Sequence, residues 1–140
     1  MDVPSTVTHE LSLHLLSADG PALPLEAQLR YRASDPLAVE ALFDAGSAEP
    51  VRWVFSRDLL VAGLDQRAGE GDVVVWPGLD PSGRAVTHLS LSSPDGAALL
   101  EAPVEAVRSF LGDTFRVVPL GAEGAHLDLD AELDELLGRR

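Results

Sequence analysis

A chain of 140 residues, 46% of them hydrophobic, is most simply one domain spanning 1–140, with enough apolar residues to form a core without covalent staples. It has no cysteine, and all ten of its cations are arginine; disulfides, thiolate zinc sites, thiol nucleophiles and lysine chemistry are therefore excluded. The formal net charge is −13, a field that repels phosphate backbones and argues against nucleic acid as a partner.

Part of that charge lies near the C-terminus, where residues 121–140 hold six acids and two arginines; the other 120 residues hold 17 acids and eight arginines, still −9. Met1–Thr6 has no basic region followed by an apolar run, and no apolar stretch approaches the ~20 residues that cross a bilayer. The reading is a soluble, cytoplasmic protein.

Val7–Leu15 alternates, with Val7, His9, Leu11, Leu13 and Leu15 on one face, as a half-buried strand does. Leu23–Tyr31 alternates again after the Ala18–Pro21 turn, so the two form a hairpin. Ser34-Asp35-Pro36 reads as the next turn. Ala38–Phe43 suits a helix by propensity, but its shortness between turn signals favours a strand over Val39–Phe43. Val51–Phe55 is a strand with Val51, Trp53 and Phe55 on one face.

Ser56 can cap a short helix that carries Asp58 at its positive end and stops at Gly63. Gly69-Glu70-Gly71 is a turn, and Asp72–Trp76 a strand broken by Pro77-Gly78. Ala85–Ser92 and Ala97–Glu101 pair across Ser93–Gly96. Pro103 opens a second helix with Val104, Val107, Phe110 and Leu111 on one stripe; Gly112 closes it, and Val117–Pro119 is extended. An acidic, leucine-striped third helix is expected at about 128–138, docked on the body or offered to a partner groove. The fold class is α+β: a strongly bent antiparallel sheet or open barrel with two to three helices.

Motifs for chemistry are weak. His9-Glu10-Leu11-Ser12-Leu13-His14 is one residue too long for a zinc-protease helix, and in a strand its two histidines face opposite ways. Gly69-Glu70-Gly71 leads into a strand, whereas a phosphate loop leads into a helix. Asp128-x-Asp130-x-Glu132 lacks the glycine and the distant glutamate of a calcium loop. The four histidines are scattered; His88 reads as a core or boundary residue. No catalytic residue, metal ligand or cofactor is assigned, and the chain reads as a non-enzyme.

The candidate partner-binding residues are Trp53, Arg57, Asp58 and Trp76, since tryptophan and arginine are enriched where proteins meet. In the alternative reading both tryptophans follow the inward alternation of their strands and serve the core, Trp53 more readily than Trp76. Arg57-Asp58 is either a local ion pair or a pair that orients an interface. Two rival functions make distinct demands. A single-stranded nucleic-acid binder needs a basic groove with exposed aromatics. A small-ligand barrel or hydrolase needs a deep closed pocket.

Six segments in order carry a resemblance. They are Leu29-Arg30-Tyr31 with Asp35–Val39; Val51-x-Trp53–Leu60-x-x-Gly63-Leu64; Gly69-x-Gly71-Asp72-Val73-x-Val75-Trp76-Pro77; Leu89–Pro94-x-Gly96-x-Ala98–Pro103; Phe110-Leu111 with Thr114; and Val118-Pro119-x-Gly121-x-Glu123. Over nearly its whole length the chain resembles the SsgA-like family of actinobacterial sporulation and cell-division proteins, most of all the SsgB branch.

The resemblance implies a non-enzymatic adaptor in septum-site selection, with the tubulin-like GTPase FtsZ and an SsgA-like protein as partners. It also implies a Whirly-like fold, a homotrimer, and a location at the division septum. Whirly proteins bind single strands through a lysine-bearing motif; this chain has no lysine, so that activity does not carry over.

Overall fold

The computed structural model describes residues 5–44 and 48–124; the helix expected at about 128–138 lies outside them. Seven strands and two helices follow in the order β1 (Thr6–Leu16), β2 (Leu23–Arg32), β3 (Asp35–Phe43), β4 (Val51–Ser56), α1 (Arg57–Ala62), β5 (Val73–Leu79), β6 (Ala85–Ser93), β7 (Gly96–Pro103) and α2 (Val104–Val117). The α+β class holds. The strands form one antiparallel sheet in the order β4-β3-β2-β1-β7-β6-β5: two meanders, β1 to β4 and β5 to β7, joined where β1 meets β7.

That joint is short. Only His14, Leu15 and Leu16 of β1 pair with Glu101, Leu100 and Leu99 of β7, whereas β1 and β2 stay in register from Thr6↔Arg32 to Leu15↔Leu23. Alongside the unshared half of β1 lies α2. His9 Nε2 sits 2.7 Å from Asp113 Oδ2, and its ring meets Phe110 edge-on at 5.5 Å between centroids. The inward stripe of α2 (Val107, Phe110, Leu111) joins Leu13, Leu29, Tyr31, Val39, Leu89 and Leu100 in a continuous core.

The sheet curls until its two ends approach one helix: α1 touches β3 and β4 at one end and β5 at the other. A Cβ on Gly63 would collide with Val75, so glycine there lets the end of α1 close onto β5. Ser56 caps α1 as expected, its hydroxyl accepting from the Leu59 amide at 3.0 Å.

Three local expectations are corrected, and the placement left open for Trp76 is decided. Asp35 and Pro36 belong to β3, not to a turn; the Pro36 carbonyl accepts the Tyr31 hydroxyl at 2.9 Å inside the fold. Pro77 and Gly78 do not break β5, which runs through both to Leu79. β5 is the last strand of the sheet, where a residue without an N–H is tolerated because that position need not donate to a neighbour. Gly112 does not close α2, and Val117 is helical; Gly112 faces solvent while Thr114 and Val118 on either side of the next turn are fully buried, so packing holds the helix past it. Trp76 does not face the core: Val75 does, with no exposed surface, and Trp76 lies on the opposite face beside His88.

Candidate partner-binding surface

Of the four candidate residues, Arg57 lies deepest, with 1% of its surface exposed. It begins α1, yet its guanidinium reaches across to the end of α2. Nη1 donates to the Val118 carbonyl at 2.7 Å and more weakly to the Thr114 carbonyl at 3.3 Å. Nη2 donates to Glu123 Oε1 at 2.6 Å. The rings of Tyr31 and Phe115 lie 4.8 and 4.7 Å from its central carbon. The group thus satisfies the last carbonyls of α2 where the helix dipole favours a cation, inside an aromatic slot that suits a planar cation.

Glu123 responds electrostatically. Backbone amide donation, then the Arg57 guanidinium, hold its carboxyl below the usual value. Burial raises the Tyr31 pKa, and the Arg57 charge works against that rise. Asp58 points the other way and is exposed. Arg57 and Asp58 therefore do not form the local pair that their adjacency suggested, because successive residues of a helix do not share a face. Arg57's true partner lies 66 residues on. The only foretaste of it in the chain is the Gly121-x-Glu123 segment.

Trp53 packs inward against the core while keeping part of its surface in solvent. Trp76 belongs to a second constellation on the opposite face of the sheet. Trp76, His88, Glu101 and His14 are direct cross-strand neighbours on β5, β6, β7 and β1. Trp76 stacks on His88 at 5.5 Å between ring centroids, and Arg67 lies 5.1 Å over the indole. His88 Nε2 is 3.3 Å from Glu101 Oε2. A Cβ on Gly78 would come within 2.5 Å of His88 Cε1, so the glycine after Pro77 leaves room for that imidazole. With Val75 inward, the alternation of β5 puts Trp76 on the outer face.

Further along that face, Glu40 bridges two strands: Arg52 Nε is 2.6 Å from Oε2 and Arg30 Nη1 3.4 Å from Oε1. The Arg52 hydrogen bond is the main reason that the Glu40 carboxyl lies below its ordinary value. Among the described residues, no three histidines, cysteines or acids are placed to hold a metal ion. No helix among them is long and apolar enough to cross a membrane.

These polar groups brace strands and helix ends within an α+β protein built on one curled sheet. Residues 25–123 match the family described as Streptomyces sporulation and cell division protein, SsgA. The chain is 50% identical over 133 residues to the sporulation-specific cell division protein SsgB of Streptomyces coelicolor, covering 95% of this chain and 96% of that one. It is 51% identical over 139 residues to SsgB of Salinispora tropica, covering 98% and 96%.

Two solved structures agree. An SsgB structure, from work correlating SsgB mutations with longitudinal cell division during sporulation of S. coelicolor, superposes with a TM-score of 0.82 at 49% identity, over 87% of this chain and 95% of that one. The SsgA-like sporulation-specific cell division protein of Thermobifida fusca superposes with a TM-score of 0.85 at 40% identity, over 96% and 98%. The chain belongs to the SsgA family, as an SsgA-like protein of the SsgB branch.

Proposed function

We propose that this protein is a non-enzymatic adaptor in sporulation-specific cell division. It works from the cytoplasm at the division septum and helps to select the septum site through contacts with FtsZ and an SsgA-like partner. In this reading it is a single SsgA-like domain of Whirly-like build that assembles as a homotrimer.

The observation that carries the reading is the near-full-length similarity to proteins named as sporulation-specific cell division protein SsgB, at about half identity. The side-chain clusters add to it. Arg57 is spent on the end of α2 and Glu40 on two arginines, roles that brace a scaffold. β4 is an edge strand and carries the exposed Val51 and Val54, with Leu37 exposed on β3; an open edge of this kind favours self-association.

The test is a pull-down with the tagged full chain from sporulating actinobacterial cells, probed with an antibody against FtsZ. FtsZ recovered above a tag-only control is the expected result. Its absence, with the bait folded and intact, refutes the adaptor reading. Sedimentation of the purified chain at tens of micromolar (the order at which weak assemblies form) should give three times the chain mass; a monomer there would refute the trimer.

A further inference from the structure

One end of the sheet carries an open groove of about 690 Å³. Three connections meet there: the β1–β2 turn, the β5–β6 turn, and the junction of β7 with α2. Its apolar surface comes from Ala22, Ala85, Val86, Pro103 and Val104. Val86 and Pro103 are direct cross-strand partners, so part of this surface is rigid sheet. The volume falls within the roughly 300–1,000 Å³ of sites that hold a drug-sized ligand, room enough for a short run of side chains.

The charged groups around it are unbalanced. Asp80, Glu101 and Glu105 line the groove against the single arginine Arg84, with His14 beside them. The Asp80 carboxyl is held below its ordinary value by the Ser82 hydroxyl and the Arg84 amide, and these bonds all end on Oδ1. Glu105 is exposed in the first turn of α2. The chain as a whole carries −13.

We infer that this groove takes a segment of a partner protein in which an apolar side chain is flanked by arginine or lysine. The apolar side chain fills the space over Val86 and Pro103, and the flanking cations face Glu105, Asp80 and Glu101. Burying the anchor supplies affinity, while the carboxylates select the sign of the flanks and speed encounter. The inference rests on the adaptor reading and gives one face of the adaptor a chemistry.

The experiment maps amide chemical shifts of the full chain on adding an acetylated ten-residue peptide of alternating arginine and leucine. Two control peptides replace leucine by serine or arginine by glutamate. The expected result is a set of shifts centred on residues 80–86 and 101–105, weakened by salt. Binding should be at least about ten-fold weaker for the serine peptide, since each buried leucine is worth that much, and for the glutamate peptide. The double variant Ala85→Arg, Glu105→Arg changes two exposed positions and should keep a dispersed spectrum while losing the shifts. No shifts, shifts centred elsewhere, or equal binding of the glutamate peptide would overturn the inference. The FtsZ pull-down reads the other question. FtsZ captured with a silent groove refutes the groove alone, and a groove that seats the peptide without FtsZ capture refutes the adaptor reading alone.

Discussion

Arg57 ties the start of α1 to the segment that follows α2 with two short hydrogen bonds, to Val118 and Glu123. Arg57→Ala removes a buried cation, leaves the Val118 carbonyl without its donor while the Thr114 carbonyl keeps the Val118 amide, and opens the slot between Tyr31 and Phe115. A loss of about 3 kcal/mol is expected in urea unfolding, toward the low end for a broken buried pair because the Glu123 side chain keeps 12% of its surface in solvent. Arg57→Lys should recover little, since an ammonium cannot reach Val118 and Glu123 as a planar fork does. A variant that unfolds like the parent would refute the role.

Glu40 gives a pH prediction. Its folded pKa lies below the ordinary glutamate value, so the folded state binds its proton less readily than the unfolded chain does. Its contribution is therefore complete above that value and is lost as the pH falls through the folded pKa. Glu40→Gln should flatten the fall of stability with acid below about pH 4.3 and leave the slope near pH 7 unchanged, as followed by urea midpoints across pH.

The helices show where a local rule and tertiary packing part ways. Ser56 was legible as a cap because a hydroxyl before an acidic first turn satisfies a free amide, and Ser56→Ala should cost about 1 kcal/mol. Gly112 misled for the opposite reason: it reads as a stop, but α2 is carried past it by Thr114 and Val118. A Cβ there meets nothing within 4 Å, so Gly112→Ala should stabilise the protein by about 0.5–1 kcal/mol. A fall in thermal midpoint would contradict that.

The strands were readable because each half-buried one alternates. Pro77 reads as a break in the sequence because a proline's tolerance depends on whether its strand is central or terminal, which sequence order alone does not state. The pairing of Arg57 with Glu123 was hidden for a related reason. Nothing near Arg57 in the chain announces a partner brought to it by the return of α2.

At the scale of the whole molecule, two meanders joined by three residue pairs are held together by α2 across the open half of β1 and by α1 across the sheet ends. Such a body presents fixed faces: the row from Trp76 to His14, the acidic groove at the end of the sheet, and the apolar end at β4. Faces held fixed in this way lower the ordering cost of binding a partner.

Trp76 tests which face matters. Trp76→Ala leaves Val75 and the core in place, so the fold should persist, checked by thermal melting, while partner recovery falls several-fold; unchanged recovery would remove Trp76 from the contact surface.

The most direct measurement is co-sedimentation of the purified full chain with GTP-assembled FtsZ polymers from a sporulating actinobacterium. The account predicts that the protein enters the pellet in a saturable amount, only when polymer is present. A folded protein that remains in the supernatant at every polymer concentration would contradict it.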